Sequence, residues 1–252
     1  MTETVVFSRT GHIGKITLNN PDRHNSLGEE ELDLLTRYLT EVEEDEQVRV
    51  LVVIGAGEKT FCAGASLGEL NAGRISGEAF QAATDRLAHL EVPTICAVNG
   101  NVFGGGVELA LSCDFRIGVE GTRMRVPAAG IGLCYPLSGI NRFVQRLGVN
   151  VAKRILVAAE EFDAEAMLAI GFLDQLVLPS QIEAEVEEMA HRIAALAPLA
   201  VRAMKRILQQ VADGALDTDA AATWAQGCLD SEDLQEGFAA MREKREARFK
   251  GR

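Results

Sequence analysis

The 252-residue chain reads as an α/β protein. Two observations carry that prediction. Up to about Gln181, β-branched runs alternate with helical stripes; beyond it nearly every residue is a helix former. Strand, helix, strand, helix with short loops predicts parallel strands joined by right-handed crossovers.

The elements follow in order. Thr4 to Arg9 and Ile13 to Asn19 read as two strands around Gly11, a hairpin. NNPDRHNSL is loop-like, with Asn, Pro and Asp in series. Gly28 to Val42 carries Leu32, Leu34, Leu35, Tyr38 and Leu39, the stripe of an amphipathic helix. VRVLVVIGAG is a β-branched run ended by glycines, as in a strand buried on both faces of a parallel sheet. GEKTFCAGASLGEL reads as a glycine-containing loop and Phe80 to Leu90 as a helix; Pro93 then introduces the strand TICAVNG. FGGGVELALSC opens another helix, and DFRIGVE is the next strand. In the helical part, Pro198 marks the first junction and Gly214 with Asp217 the second. That module either covers the core of its own chain or packs on another subunit.

Composition bounds the function. The chain is 47% hydrophobic and 25% charged, enough for a sizeable core without disulfides or metals. The net charge of −12 disfavours nucleic-acid binding, which needs a basic face, and docking on anionic membranes. An anionic substrate stays open, because a local basic rim can steer one. The five cysteines are widely spaced with no C-x-x-C, which predicts reduced thiols and a cytoplasmic protein. No signal peptide and no membrane-spanning run is expected.

The stretch FGGGVELALSCDF places one acid, Glu108, in an apolar run behind three glycines. Ionised carboxylates are rarely buried without a partner. The helix is expected to begin at about Gly105, where unpaired N–H groups and the positive end of the dipole favour an anion or a developing oxyanion. A second glycine-containing turn, FCAGASL, offers another N–H at Ala65. Two such donors on one carbonyl oxygen make an oxyanion hole, each worth roughly 3 kcal/mol in the transition state. The bland alternative is that Glu108 only stabilises its own helix dipole.

Several ordered blocks resemble the crotonase, or enoyl-CoA hydratase/isomerase, superfamily: ITLNNPDRHNSL, VLVVIGAGEKTFCAGASL, PTICAVNGNVFGGGVELALSCDFRIG, FDAEAMLAIGFLDQLV, APLAVRAMKRIL and SEDLQEGFAAMREKREARFKG. The resemblance implies a spiral of ββα repeats over residues 1–195 that holds the site, and a helical trimerisation region over 196–252. It implies a homotrimer or a dimer of trimers, and an acyl-coenzyme A thioester as substrate, with coenzyme A as part of that substrate and no metal or redox cofactor. Ala65 and Gly105 would supply the oxyanion hole and Glu108 the acid/base. Arg23 and Asn25 would lie near the adenine end, and Ser66 and Leu67 along the same channel, Ser66 standing where an acid is common. Lys244 would reach the coenzyme A phosphates, the alternative being a solvated charge in REKRE.

One position breaks the pattern. Hydratases of this family carry a second glutamate in a P-E-x-x-x-G segment; here the segment is RVPAAGIGLCYP, and Ala128 stands in place of the acid. Alanine moves no proton. Cys134 and Tyr135 are near in sequence, Tyr135 either as a replacement donor or as an apolar wall. An isomerase, dehydratase or decarboxylase is therefore the rival to a hydratase, and a non-catalytic acyl-CoA-binding protein is the rival from another class. Asp114 and Asp174, beside strands, read as structural; His24 reads as a solvated loop residue and Trp224 as packing.

Overall fold

The computed structural model describes residues 3–252. The hairpin expected around Gly11 is present: β1 (Val5–Thr10) runs antiparallel to β2 (Ile13–Leu18), and Gly11 takes the positive φ of 58° that the turn requires. From there the sheet grows parallel through β3 (Val50–Gly55), β5 (Thr94–Val98), β7 (Phe115–Val119) and β10 (Gln175–Val177), in the order β1-β2-β3-β5-β7-β10. A second sheet is made of three-residue strands, β4 (Thr60–Cys62), β6 (Asn101–Phe103), β8 (Arg123–Arg125) and β9 (Glu161–Asp163), parallel except for the last pair.

This second sheet corrects the simple βα reading of the residues. The segment read as one glycine-containing loop begins with β4, and β6 occupies NVF just before the glycines. Three residues are too few to show a period-two pattern. Three passes, β3 to β4, β5 to β6 and β7 to β8, each lay a longer strand in the first sheet and then a short strand in the second, as in the ββα spiral that the resemblance implies.

Helices cover the first sheet on both faces. On one side lie α1 (Glu29–Glu44), α3 (Gly77–His89) and α4 (Gly105–Leu111). Leu32, Leu35, Leu39 and Val42 of α1 are buried, as its stripe predicts, and Ser76 caps α3 by accepting the Ala79 N–H at 3.1 Å. On the other side α7 (Ile182–Ala194) lays Ile182, Val186, Ala190 and Ala194, spaced by four, on Val50, Val52, Ile95, Ala97, Ile117 and Val119. Burial of each large aliphatic side chain there contributes roughly 1.5–3 kcal/mol. The apolar strands are continuous rather than alternating because both their faces are covered.

The remaining helices are α2 (Leu67–Asn71), α5 (Leu137–Leu156), α6 (Ala164–Ala169), α8 (Pro198–Ala212), α9 (Thr218–Leu229) and α10 (Glu232–Glu243). Asp217 caps α9, accepting from Asp219 and Ala220, at the junction the sequence marks. No residue of α9 is buried, and Met204, Leu208, Leu229, Phe238 and Met241 are exposed on α8 to α10. All five cysteines are free thiols, and among the described residues no helix is long and apolar enough to cross a membrane.

Candidate active site

Two glycine-bearing turns meet behind β4 and β6. Gly64, at φ 83°, lies so close to α4 that a Cβ on it would come within 2.3 Å of the Gly105 nitrogen. A Cβ on Gly106 would come within 2.3 Å of the Cys62 carbonyl oxygen. Only glycine permits that approach. The result is that Ala65 and Gly105 sit on adjacent turns facing one cavity, and neither N–H makes a hydrogen bond among the described residues. Ala65 is held by its neighbours: Leu27 donates to the Gly64 carbonyl and Ser66 donates to the Leu27 carbonyl, both at 2.8 Å.

The cavity has a volume of about 340 Å³. Its wall is mostly apolar, with Leu67, Leu70, Phe80, Phe103, Ile131 and Leu133 among its members. Glu108 is the only carboxylate that lines it among the described residues, and Ala128 is part of the same wall. So the missing acid is missing where it counts, and no other acid has moved in to replace it. Tyr135 also lines the cavity, half-buried, with its ring edge-on to Phe143 at 5.8 Å between centroids. Burial, and secondarily the Glu108 charge, push its phenol far up, so it stays protonated.

Glu108 is 2% exposed, and it is not alone. Its Oε1 accepts from Arg142 Nη1 at 3.0 Å and from Thr84 Oγ1 at 3.2 Å. Arg142 is buried too, and its other nitrogen donates to Asp85, which also accepts from Ser138 Oγ at 3.1 Å. Burial raises the Glu108 pKa above the ordinary carboxylate value; the Arg142 charge and the Thr84 hydroxyl oppose the rise. Residues Thr84, Asp85 and Arg142 escape the sequence reading. The signal was available: Thr84 follows Phe80 by four on the buried face of α3, and Arg142 follows Gly139 by three and adjoins the buried Phe143 on α5.

The other expected residues are placed as follows. Ser66 is half-buried beside the cavity's rim and its hydroxyl lies 3.5 Å from Glu69 Oε1; Leu67 is 57% exposed at the cavity wall. Arg23 is exposed, 3.6 Å from Glu69. Asn25 is buried and does not line the cavity: its side chain accepts from the Asn20 N–H and donates to the carbonyls of Ala56 and Thr60, so it shapes the loop. Lys244 is exposed at the end of α10 and does not line the cavity. His24 is an exposed loop residue whose Nδ1 lies 3.1 Å from Thr60 Oγ1. Asp174 holds the Arg116 backbone and guanidinium, and Trp224 lies under Arg206.

The family model for enoyl-CoA hydratase/isomerase matches residues 8–252. The chain belongs to the enoyl-CoA hydratase/isomerase family. It is 33% identical to the short-chain-enoyl-CoA hydratase of Clostridium acetobutylicum, over 98% of each chain. It is 30% identical to the carnitinyl-CoA dehydratase of Citrobacter koseri, over the full length of both. A crystal structure of enoyl-CoA hydratase from Bacillus anthracis matches with a TM-score of 0.92 at 30% identity, covering 99% of this chain and 100% of that one. Family members of this kind act on acyl-CoA, and these relatives include both hydratases and dehydratases.

Proposed function

We propose that the protein is an acyl-CoA isomerase or lyase that works with one carboxylate. The observation that carries this reading is that Glu108 is the only acid lining the cavity among the described residues, with Ala128 in the same wall where a two-acid hydratase would carry its second glutamate. The thioester carbonyl accepts from the N–H groups of Ala65 and Gly105. Glu108 removes a proton from the carbon next to that carbonyl, and the electron pair moves onto the carbonyl oxygen as an enolate. Each donor lowers the barrier by roughly 3 kcal/mol because it is in place before charge develops. On collapse, the pair either returns the proton from Glu108 to a different carbon, which shifts a double bond, or expels a group from the next carbon. Neither route needs a second carboxylate or a resident cofactor.

The raised Glu108 pKa suits this cycle, because the acid formed in the first half must survive to donate in the second. Arg23, Ser66, Leu67 and Lys244 are proposed to border the coenzyme A channel, with Asn25 setting the shape of its loop. The exposed apolar residues of α8 to α10 support a homotrimer or a pair of trimers, with residues 1–195 as the core and 196–252 as the assembling region. Light scattering on the purified chain reads the assembly directly. A cytoplasmic location fits the free thiols.

The deciding experiment follows exchange of deuterium from solvent into the carbon beside the thioester carbonyl, across a panel of saturated, 3-enoyl and 3-hydroxyacyl-CoA compounds. Glu108→Gln is the control. Exchange that requires Glu108 is the expected result. Equal exchange in the variant removes Glu108 as the base. Binding without exchange in either chain turns the reading to a non-catalytic acyl-CoA-binding protein. Crotonyl-CoA tests hydration separately; rapid water addition would call for a second proton donor, and the protonated Tyr135 phenol in the cavity wall is the group to change next.

A further inference from the structure

We propose that Arg142 is a positioning residue that clamps one oxygen of Glu108 and so leaves the other as the atom that exchanges the proton with substrate. The proposal rests on the reading of Glu108 as the acid/base, and it assigns the task of its two oxygens. Both donors that reach the carboxylate, Arg142 Nη1 and Thr84 Oγ1, go to Oε1. Oε2 has no hydrogen-bond partner among the described residues. A carboxylate with one saturated and one free oxygen is protonated at the free one, since protonation at Oε1 would set a proton against two donors.

The clamp is held from behind. Arg142 spans two carboxylates: Nη1 meets Glu108 and Nη2 meets Asp85, which Ser138 also holds. The planar fork thereby fixes the carboxylate's direction as well as its charge. Gly139, one turn earlier on α5, completes the seat: a Cβ there would lie 3.0 Å from both carboxylate oxygens. The Glu108 side chain is thus bounded by an arginine on one side and by a glycine backbone on the other. Thr84 adds a rotor. Its single hydroxyl hydrogen has two acceptors, Glu108 Oε1 at 3.2 Å and the Gln81 carbonyl at 2.9 Å. It can turn towards Glu108 when that group is ionised and towards Gln81 when it is protonated.

The groups around Glu108 are few. Asp85 and Thr84 face it from α3, and Arg142 from α5; Tyr135 comes from the segment before α5. Among the described residues, Arg142 is the one cation in direct contact. Burial favours the neutral acid and Arg142 favours the carboxylate, so removing the guanidinium leaves only the Thr84 hydroxyl to oppose burial.

The test is a pair of substitutions read in two ways. Solvent-deuterium exchange into acyl-CoA gives a pH profile of kcat and KM. Carbon-13 labelling of the glutamates, with Glu108 assigned by its loss in Glu108→Gln, gives the titration of that carboxyl without turnover. In Arg142→Gln the Glu108 titration and the acid limb of the profile are both expected to move to higher pH, with kcat at neutral pH down about 100-fold, as a misplaced acid/base costs, and KM within about threefold. Arg142→Lys keeps the charge but not the fork; the limb is expected to stay and kcat to fall about tenfold. An unmoved titration and limb in Arg142→Gln overturns the proposal. Should that chain fail to fold, an undiminished kcat in Arg142→Lys overturns it instead. Full exchange in Glu108→Gln would overturn the one-carboxylate reading and this proposal with it; loss of exchange there, beside unchanged Arg142 variants, overturns the proposal alone.

Discussion

The two ends of α4 each carry a paired carboxylate, and they differ in what they border. Glu108 lies in the first turn, pairs with Arg142 and keeps one oxygen without a partner at the wall of a cavity. Asp114 follows the helix. Its Oδ2 takes the Thr94 N–H at 2.7 Å, the Thr94 hydroxyl at 3.0 Å and Lys205 Nζ at 2.6 Å, and it does not line that cavity. One pair ties α8 to the sheet; the other lies at the cavity wall. A buried ion pair is thus no sign of chemistry by itself. Each acid keeps one oxygen that no hydrogen bond reaches among the described residues; what sets Glu108 apart is its place in the wall of the cavity that Ala65 and Gly105 also line.

The sharpest way to break this comparison is to neutralise both acids in turn. Glu108→Gln is expected to lower turnover by about 10²–10⁴-fold with little loss of melting temperature. Asp114→Asn is expected to do the reverse, costing about 2 kcal/mol of stability, below the range for fully buried pairs because its surroundings are partly solvated, while turnover persists. Denaturation curves and exchange rates on the same samples decide it; a Glu108 variant that only unfolds, or an Asp114 variant that is folded and dead, breaks the contrast.

Gly139→Ala probes the space left for Glu108. A helix interior prefers alanine by about 1 kcal/mol, yet the new Cβ would press on both carboxylate oxygens at 3.0 Å. Turnover is expected to fall about tenfold in a chain that is no less stable, because the carboxylate must swing off its line of attack. Unchanged turnover would show that the seat is loose.

A pH profile gives the next effect. Glu108 must be ionised to take a proton, and burial holds its pKa above the ordinary carboxylate value. Activity is therefore expected to fall with falling pH at a higher pH than an exposed glutamate would dictate. The sign for stability runs the other way. A carboxyl whose folded pKa is raised contributes its stabilisation fully below the unfolded pKa, and that contribution is lost as pH rises through the folded value. Comparing wild type with Glu108→Gln by urea titration across that range should show the wild type losing ground as pH rises. A constant difference would mean that Arg142 cancels the cost of burial.

The smallest effect is expected from Thr84→Val, which removes the rotor but leaves Arg142 in place. A hydrogen bond to a charged group is worth about 1.5–3 kcal/mol, but Gln81 shares the hydroxyl, so turnover is expected to drop less than about tenfold; a larger drop would mean that Thr84 donates to Glu108 in the rate-limiting state. An unchanged rate would assign the hydroxyl to Gln81 throughout.

The sequence made one half of this site legible and not the other. Glycines and an acid at fixed spacing announce α4, because backbone that must turn and approach closely leaves few residue choices. The parallel sheet was readable from VLVVIG and TICAV, whose continuous apolar character is itself the mark of two covered faces. The short strands β4, β6 and β8 were not, since they are stabilised by neighbours far along the chain rather than by their own pattern. Arg142 and Asp85 were invisible for a related reason: they are 57 positions apart and become partners only when α3 and α5 pack together. Asn25, expected near the adenine end, ties its loop to the carbonyls of Ala56 and Thr60, 31 and 35 residues away, a pairing that no local pattern announces.

The two unpaired N–H groups at Ala65 and Gly105 belong to the main chain, on turns that leave neighbouring strands of one sheet. No single codon change to a residue other than proline can delete either donor. The acids and the wall around them are side chains, and each can be exchanged one at a time. A scaffold of this sort separates what comes with the topology from what is open to variation: alanine at position 128 leaves both main-chain donors of the proposed oxyanion hole in place.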